Sequence, residues 1–153
     1  MKRTAYIFDV DGTLANVEPY LHYIRNSSPD FKKDFDSFHR ASINSKPNLE
    51  ATDMLHKAIK DGHKVIVVTS RRETWRSLTS LWLARNNLRT HGLFMRADND
   101  YRKDYEVKKD ILNSISKKWK IVHAVDDNPE VLRLWKENNI PTTKIGTWDG
   151  NRS

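Results

Sequence analysis

The stretch Ala5-Tyr6-Ile7-Phe8-Asp9-Val10-Asp11-Gly12-Thr13-Leu14 decides how the rest of the chain reads. An unbroken apolar run of this length fits a strand covered on both faces. It then breaks on two carboxylates and a glycine, the residue that lets a backbone turn sharply. Two further runs end in a related way. Lys64-Val65-Ile66-Val67-Val68-Thr69 is β-branched and stops on a hydroxyl, and Ile121-Val122-His123-Ala124-Val125-Asp126 stops on the acidic pair Asp126-Asp127. Leu93–Arg96 and Thr142–Ile145 are shorter strand candidates, which makes about five.

Helical periodicity fills the gaps. Leu49–Asp61 places Met54, Leu55, Ala58 and Ile59 on one stripe and stops at Gly62. Ser70-Arg71-Arg72-Glu73 reads as a capping box, Ser70 as N-cap and Glu73 reaching back, ahead of an inward stripe of Trp75, Leu78, Leu81 and Trp82. Glu106–Lys118 carries Val107, Ile111, Ile115 and then Trp119 at four-residue steps. Asn128-Pro129 opens a helix with Val131, Leu132 and Trp135 inward. This alternation predicts an α/β fold: a mostly parallel sheet with helices on both faces. Residues 16–47 delay the first covering helix, and are expected to form a small helical cap inserted after the first strand. Two short helices are expected there, around Glu18–Arg25 and Asp30–Ile43, the second with Phe31, Phe35 and Phe38 on one side. The expected organisation is one unit over 1–153, with its core at 1–15 and 48–153.

Composition narrows the function classes. The 153 residues suit one domain, and a hydrophobic fraction of 37% supports a core. The absence of cysteine excludes disulfide scaffolds, thiolate metal sites and Cys nucleophiles. No apolar stretch reaches the roughly 18–20 residues of a membrane span, and the first residues do not read as a signal peptide, so a soluble, cytoplasmic protein without a membrane partner is expected. The net charge is +7, and six arginines crowd the span from Arg71 to Arg96. Either a polyanionic partner or a solvated basic face accounts for them. The six histidines show no ligand spacing, and His123 reads as a satisfied strand residue.

In a parallel sheet the carboxyl ends of strands meet in one crevice. Asp9, Asp11, Thr69, Asp126 and Asp127 all fall there. Carboxylates gathered so closely repel one another, a cation must compensate, and hard oxygen donors suit Mg²⁺.

Asp9-Val10-Asp11-Gly12-Thr13 resembles the first motif, DxDGT, of the haloacid dehalogenase (HAD) superfamily of phosphatases. Thr69, Lys108 and Asp126-Asp127 resemble its second, third and fourth motifs, in order along the chain. The resemblance implies a Rossmann-like HAD fold, Asp9 as nucleophile, Asp11 as general acid and base, and Lys108 as the cation facing transition-state charge. It also implies Mg²⁺ held by Asp9, Asp11 through its backbone carbonyl, Asp126 and Asp127. Read alone, Lys108 four residues after Asp104 reads as an ordinary helix-surface ion pair, and only the set of four motifs turns the reading to catalysis. Thr69-Ser70-Arg71 and Arg102-Lys103-Asp104-Tyr105-Glu106-Val107-Lys108 are similar to the 3′-phosphatase domains of bacteriophage polynucleotide kinase/phosphatases. That likeness assigns phosphate contacts to Thr13, Thr69, Ser70 and Arg71, and makes Asp104 the residue that orients Lys108. It leaves the substrate arginine of the cap unplaced, with Arg25 and Arg40 as candidates. The implied function is Mg²⁺-dependent removal of a 3′-phosphate from DNA or RNA ends through an aspartyl-phosphate. A nucleotidase or small-metabolite phosphatase of the same fold is the alternative. No GxxxxGK[ST] phosphate loop occurs in the sequence, and a separate kinase or ligase is a candidate partner.

Overall fold

A computed structural model describes residues 1–146; residues 147–153 of the expected unit lie outside the described residues. The strands are β1 (Arg3–Phe8), β2 (Ala15–Asn16), β3 (Lys46–Pro47), β4 (Lys64–Arg72), β5 (Gly92–Arg96), β6 (Trp119–Asp126) and β7 (Thr142–Lys144). The α-helices are α1 (Phe35–Ala41), α2 (Leu49–Lys60), α3 (Arg76–Arg85), α4 (Asp104–Ile115) and α5 (Pro129–Glu137). Five strands form one sheet in the order β5-β4-β1-β6-β7, and every pairing in it is parallel. The expected α/β architecture is therefore present, with the acid-bearing β1 at its centre. No helix among the described residues is long and apolar enough to cross a membrane.

Alternation along the strands builds two cores, because successive side chains point to opposite faces. Phe8, Val65, Val67 and Val125 face one cluster with Leu55, Trp82 and Leu83. Ala5, Ile7, Ile66, Val68 and Ala124 face the other with Leu112, Ile115, Val131 and Trp135. Each fully buried Leu, Ile, Val or Phe contributes about 1.5–3 kcal/mol, which anchors the strands whose tips carry the polar residues.

Residues 16–47 leave and return through a narrow neck, where β2 and β3 pair antiparallel at Ala15–Pro47 and Asn16–Lys46. Inside the segment the helices are shorter than the spacing predicts. A 3₁₀ turn covers Glu18–Tyr23, and α1 begins only at Phe35, because the Asp34 carboxylate accepts the Ser37 N–H and sets the N-terminus there. Phe31 thus lies before the helix rather than on a shared stripe with Phe35 and Phe38.

The capping box is corrected as well. β4 continues through Ser70 and Arg71 to Arg72, which pairs in register with Arg96 of β5. Ser70 caps nothing, and Glu73 binds Arg76 at 2.7 Å instead of reaching back. The α3 stripe is correspondingly rotated: Thr79, Trp82 and Leu83 are buried, Leu81 is 52% exposed, and Trp75 is only half-buried. α4 stops at Ile115, short of the expected Lys118, and Trp119 opens β6. Gly62, at φ +90°, does end α2, and the Asn128 side chain does cap α5 by accepting the Glu130 N–H at 3.0 Å.

Candidate active site

Asp9 follows β1 directly, and Gly12 at φ +80° turns the chain so that Asp11 stays at the same end of the sheet. The tips of β1, β4 and β6 then bring the expected residues together in the floor of a cleft of about 680 Å³. Asp9, Asp126 and Asp127 are all nearly buried, and each offers a carboxylate oxygen within 4.8 Å of the others. The Lys108 ammonium, 2% exposed, donates to Asp9 at 3.0 Å and to Asp126 at 2.9 Å. The helix-surface pair with Asp104 does not form. The Asp104 carboxylate accepts from Arg96 at 2.8 Å and acts on Lys108 through space. The other Asp126 oxygen accepts the N–H groups of Asp127 and Asn128 at 2.8 and 3.1 Å, so each of its contacts is charge-assisted.

The electrostatics show a site short of positive charge. Burial and Asp126 push the Asp9 carboxyl up to about 6, against the pull of Lys108. Burial works against the Lys108 ammonium too, but Asp126 and Asp9 outweigh it and hold the amine charged, above its ordinary value. Two of the three clustered carboxylates, Asp9 and Asp126, share the buried Lys108 ammonium, and all the cluster's donors are hard oxygens. This donor set fits a divalent cation such as Mg²⁺.

Asp11 is held separately. Arg71 reaches back from β4 and grips its carboxylate through both Nε, at 3.0 Å, and Nη2. The same guanidinium donates to Thr79 of α3 and to Ser42 of the inserted segment, both at 3.0 Å. Arg71 is thus engaged with Asp11, although the likeness gave it a phosphate contact. Thr13, fully buried, donates to Asp9 at 3.2 Å, so its hydroxyl serves the carboxylate. Thr69 lines the cleft and accepts the Arg71 N–H at 3.2 Å. Ser70 also lines it, with a buried hydroxyl that has no hydrogen-bond partner.

The cleft walls were not foreseen. From the inserted segment come Phe35, Phe38 and His39, not Arg25 or Arg40. The His39 ring lies 5.4 Å from that of Trp75, and burial pushes its pKa down to about 4. The folded state therefore holds the neutral ring, and this contribution to stability is lost as the pH falls through about 4. The opposite wall is the loop between β5 and α4. Of the six arginines from 71 to 96, Arg71, Arg72 and Arg96 reach the cleft, and Arg85 is exposed elsewhere. His123 is paired with Thr143 at 2.7 Å, as expected of a strand residue.

The comparisons agree with this geometry. The family described as the Polynucleotide kinase PNKP phosphatase domain matches residues 3–149. A candidate bifunctional polynucleotide kinase/RNA ligase of Autographa californica nuclear polyhedrosis virus is 31% identical over 90 residues, which are 56% of this chain and 13% of the relative. A chain of the Pnkp1/Rnl/Hen1 RNA repair complex superposes with a TM-score of 0.78 at 27% identity, covering 97% of this chain and 44% of that one. A class C acid phosphatase from Bacillus anthracis shares the fold, with a TM-score of 0.67 at 14% identity over 99% of this chain and 71% of its own. The chain thus spans less than half the length of its polynucleotide-processing relatives. With the family matched over nearly its whole length and the four strand-tip and helix motifs assembled in one cleft, the chain belongs to the polynucleotide kinase PNKP phosphatase domain family and is a HAD-type phosphatase.

Proposed function

We propose that the chain removes terminal phosphate from polynucleotide ends, DNA or RNA, the 3′-phosphate before others, through an aspartyl-phosphate. One observation carries this reading. The Asp9 carboxylate, bound by Lys108 and Thr13, sits with Asp11 in the cleft floor of a phosphatase from a polynucleotide-processing family. Residues 16–47 act as the cap of a single unit built on 1–15 and 48 onward.

In the first step an Asp9 oxygen forms a bond to phosphorus, the bond to the leaving oxygen breaks, and Asp11 gives that oxygen its proton. In the second, Asp11 takes a proton from water, whose oxygen attacks phosphorus and releases inorganic phosphate and free Asp9. The Arg71 fork fixes Asp11 for both transfers. Thr69 and Ser70 donate to phosphoryl oxygens, and the otherwise unused Ser70 hydroxyl suits that role. Lys108, held by Asp9 and Asp126 with the Asp104 charge acting on it through space, neutralises charge as it builds. Asp9, Asp126, Asp127 and the Asp11 carbonyl would hold Mg²⁺, which supplies charge shielding between carboxylate and phosphate. A kinase or ligase activity acts on the healed end.

Phosphate release from 3′-phosphorylated DNA and RNA, their 5′-phosphorylated counterparts and free mononucleotides tests the reading. The expected order puts 3′-phosphorylated ends first, and oligonucleotide turnover should fall more steeply with salt than that of p-nitrophenyl phosphate. Preference for mononucleotides would move the chain to the nucleotidase reading.

Metal dependence has a readout in stability. A carboxyl raised from 3.8 to about 6 by burial and by Asp126 contributes stability at low pH that is lost as the pH rises through about 6, so the ionised group carries a cost at neutrality. A bound cation offsets that cost. Mg²⁺ should therefore raise the melting temperature more at pH 7 than at pH 4.5, and Asp9→Asn should flatten the difference. An equal increment at both pH values in the unmodified chain would count against the carboxylate site.

A further inference from the structure

Tyr101 is the most exposed of the large apolar side chains lining the cleft, at 77%. An aromatic ring left in water gains nothing for folding, yet this one is held in place. Arg96, 9% exposed, donates through Nη1 to the carbonyls of Asp100 and Arg102, at 3.0 and 2.6 Å, the two residues flanking Tyr101. Its Nε binds the Ser70 carbonyl at 3.0 Å and its Nη2 binds Asp104 at 2.8 Å, so the same side chain ties the loop to the β4 tip and the start of α4. Arg102 is folded back on Asp100 and Asp110. The Arg72 guanidinium lies 4.6 Å from the centre of the Tyr101 ring, and most of the ring surface stays open.

We propose that Tyr101, backed by Arg72, is a stacking platform for a nucleobase of the strand whose terminal phosphate enters the cleft, and that it makes the enzyme prefer a polynucleotide end over a small phosphomonoester. The assignment rests on the proposed polynucleotide substrate. An exposed aromatic face beside an arginine, on a loop whose backbone is tied down, is what single-stranded nucleic acids stack on, and such stacking tolerates any base. Tyr101 stands seven residues before Lys108. About 6 Å of helix and at most about 10 Å of loop separate them, the span of a few base steps at about 3.4 Å each. The ring therefore serves a base near the phosphate without touching the reacting atoms.

The test compares Tyr101→Ala and Tyr101→Phe on a 3′-phosphorylated oligonucleotide, on the same oligonucleotide with abasic sites in its last three nucleotides, and on p-nitrophenyl phosphate. Tyr101→Ala should lose about 10-fold or more in kcat/KM on the intact oligonucleotide, mostly through KM, and keep its rate on p-nitrophenyl phosphate. Tyr101→Phe should behave as the unmodified chain, since the ring face carries the effect. The abasic substrate should lower the unmodified enzyme to the level of Tyr101→Ala and cost that variant nothing more. Equal losses on p-nitrophenyl phosphate would show a merely structural loop residue and overturn the proposal. So would unchanged oligonucleotide turnover in Tyr101→Ala. If the unmodified enzyme itself does not favour oligonucleotides, the polynucleotide reading falls and takes the platform with it. If it does and Tyr101→Ala keeps the preference, only the platform falls.

Discussion

Asp9→Asn is expected to leave the fold intact and cut phosphate release from every phosphomonoester by about 10⁴-fold or more, the scale seen when a nucleophile is removed. The amide has the shape of the carboxylate but cannot attack phosphorus. Its oxygen can still accept from Thr13 or Lys108, so packing is retained. It also relieves a site in which buried carboxylates outnumber the buried ammonium, so in EDTA at pH 7 the variant should melt no lower than the unmodified chain. Stopped turnover with a preserved melting temperature separates chemical loss from unfolding. Unchanged turnover would place the nucleophile elsewhere.

The second large effect belongs to Lys108→Met. Methionine is an unbranched side chain of similar length, so the volume is nearly conserved, but the charge that holds Asp9 and Asp126 at 3.0 and 2.9 Å is gone. Removing one partner of a buried ion cluster costs about 3–5 kcal/mol, because the remaining charges have no compensation. Against a typical total of 5–15 kcal/mol, the metal-free variant should be markedly destabilised at pH 7. Saturating Mg²⁺ should restore much of the melting temperature, because a cation binds where the charge is uncompensated. Turnover should stay down by about 10²–10³-fold even then, the usual cost of losing one group that stabilises developing charge. Circular dichroism melts with and without Mg²⁺, beside phosphate release, check both parts. Unaltered stability in EDTA would contradict the buried bridge.

The site floor was legible because its residues close apolar runs. An apolar run that closes on Asp9, Thr69 or Asp126 delivers that side chain to the carboxyl edge of a parallel sheet, even where β4 itself runs on to Arg72. The capping box misled because Ser70 and Glu73 carry the right side chains at the right spacing. Pairing of Arg72 with Arg96 in the sheet, and the reach of Arg71 back to Asp11, keep the backbone extended there. The walls were not legible for a different reason. Arg96 mostly binds carbonyls, which every residue has, and His39 meets Trp75 only after the chain has passed through the neck and back. Neither leaves a spacing to read. Arg71 has the type and place of a phosphate ligand, and its partners Asp11, Ser42 and Thr79, which come from three separate parts of the chain, leave no spacing to read.

That three-way grip limits how the molecule can be rebuilt. The neck at β2 and β3 looks like a clean place to cut out residues 16–47 and transplant another insertion. The joint is not clean, because the Ser42 hydroxyl inside the insertion accepts a hydrogen bond from the arginine that fixes Asp11. A chimera must bring its own acceptor to that position, or Arg71 is left with an unfilled bond beside the acid. Domain exchange here is a matter of matching one buried oxygen as much as two chain ends.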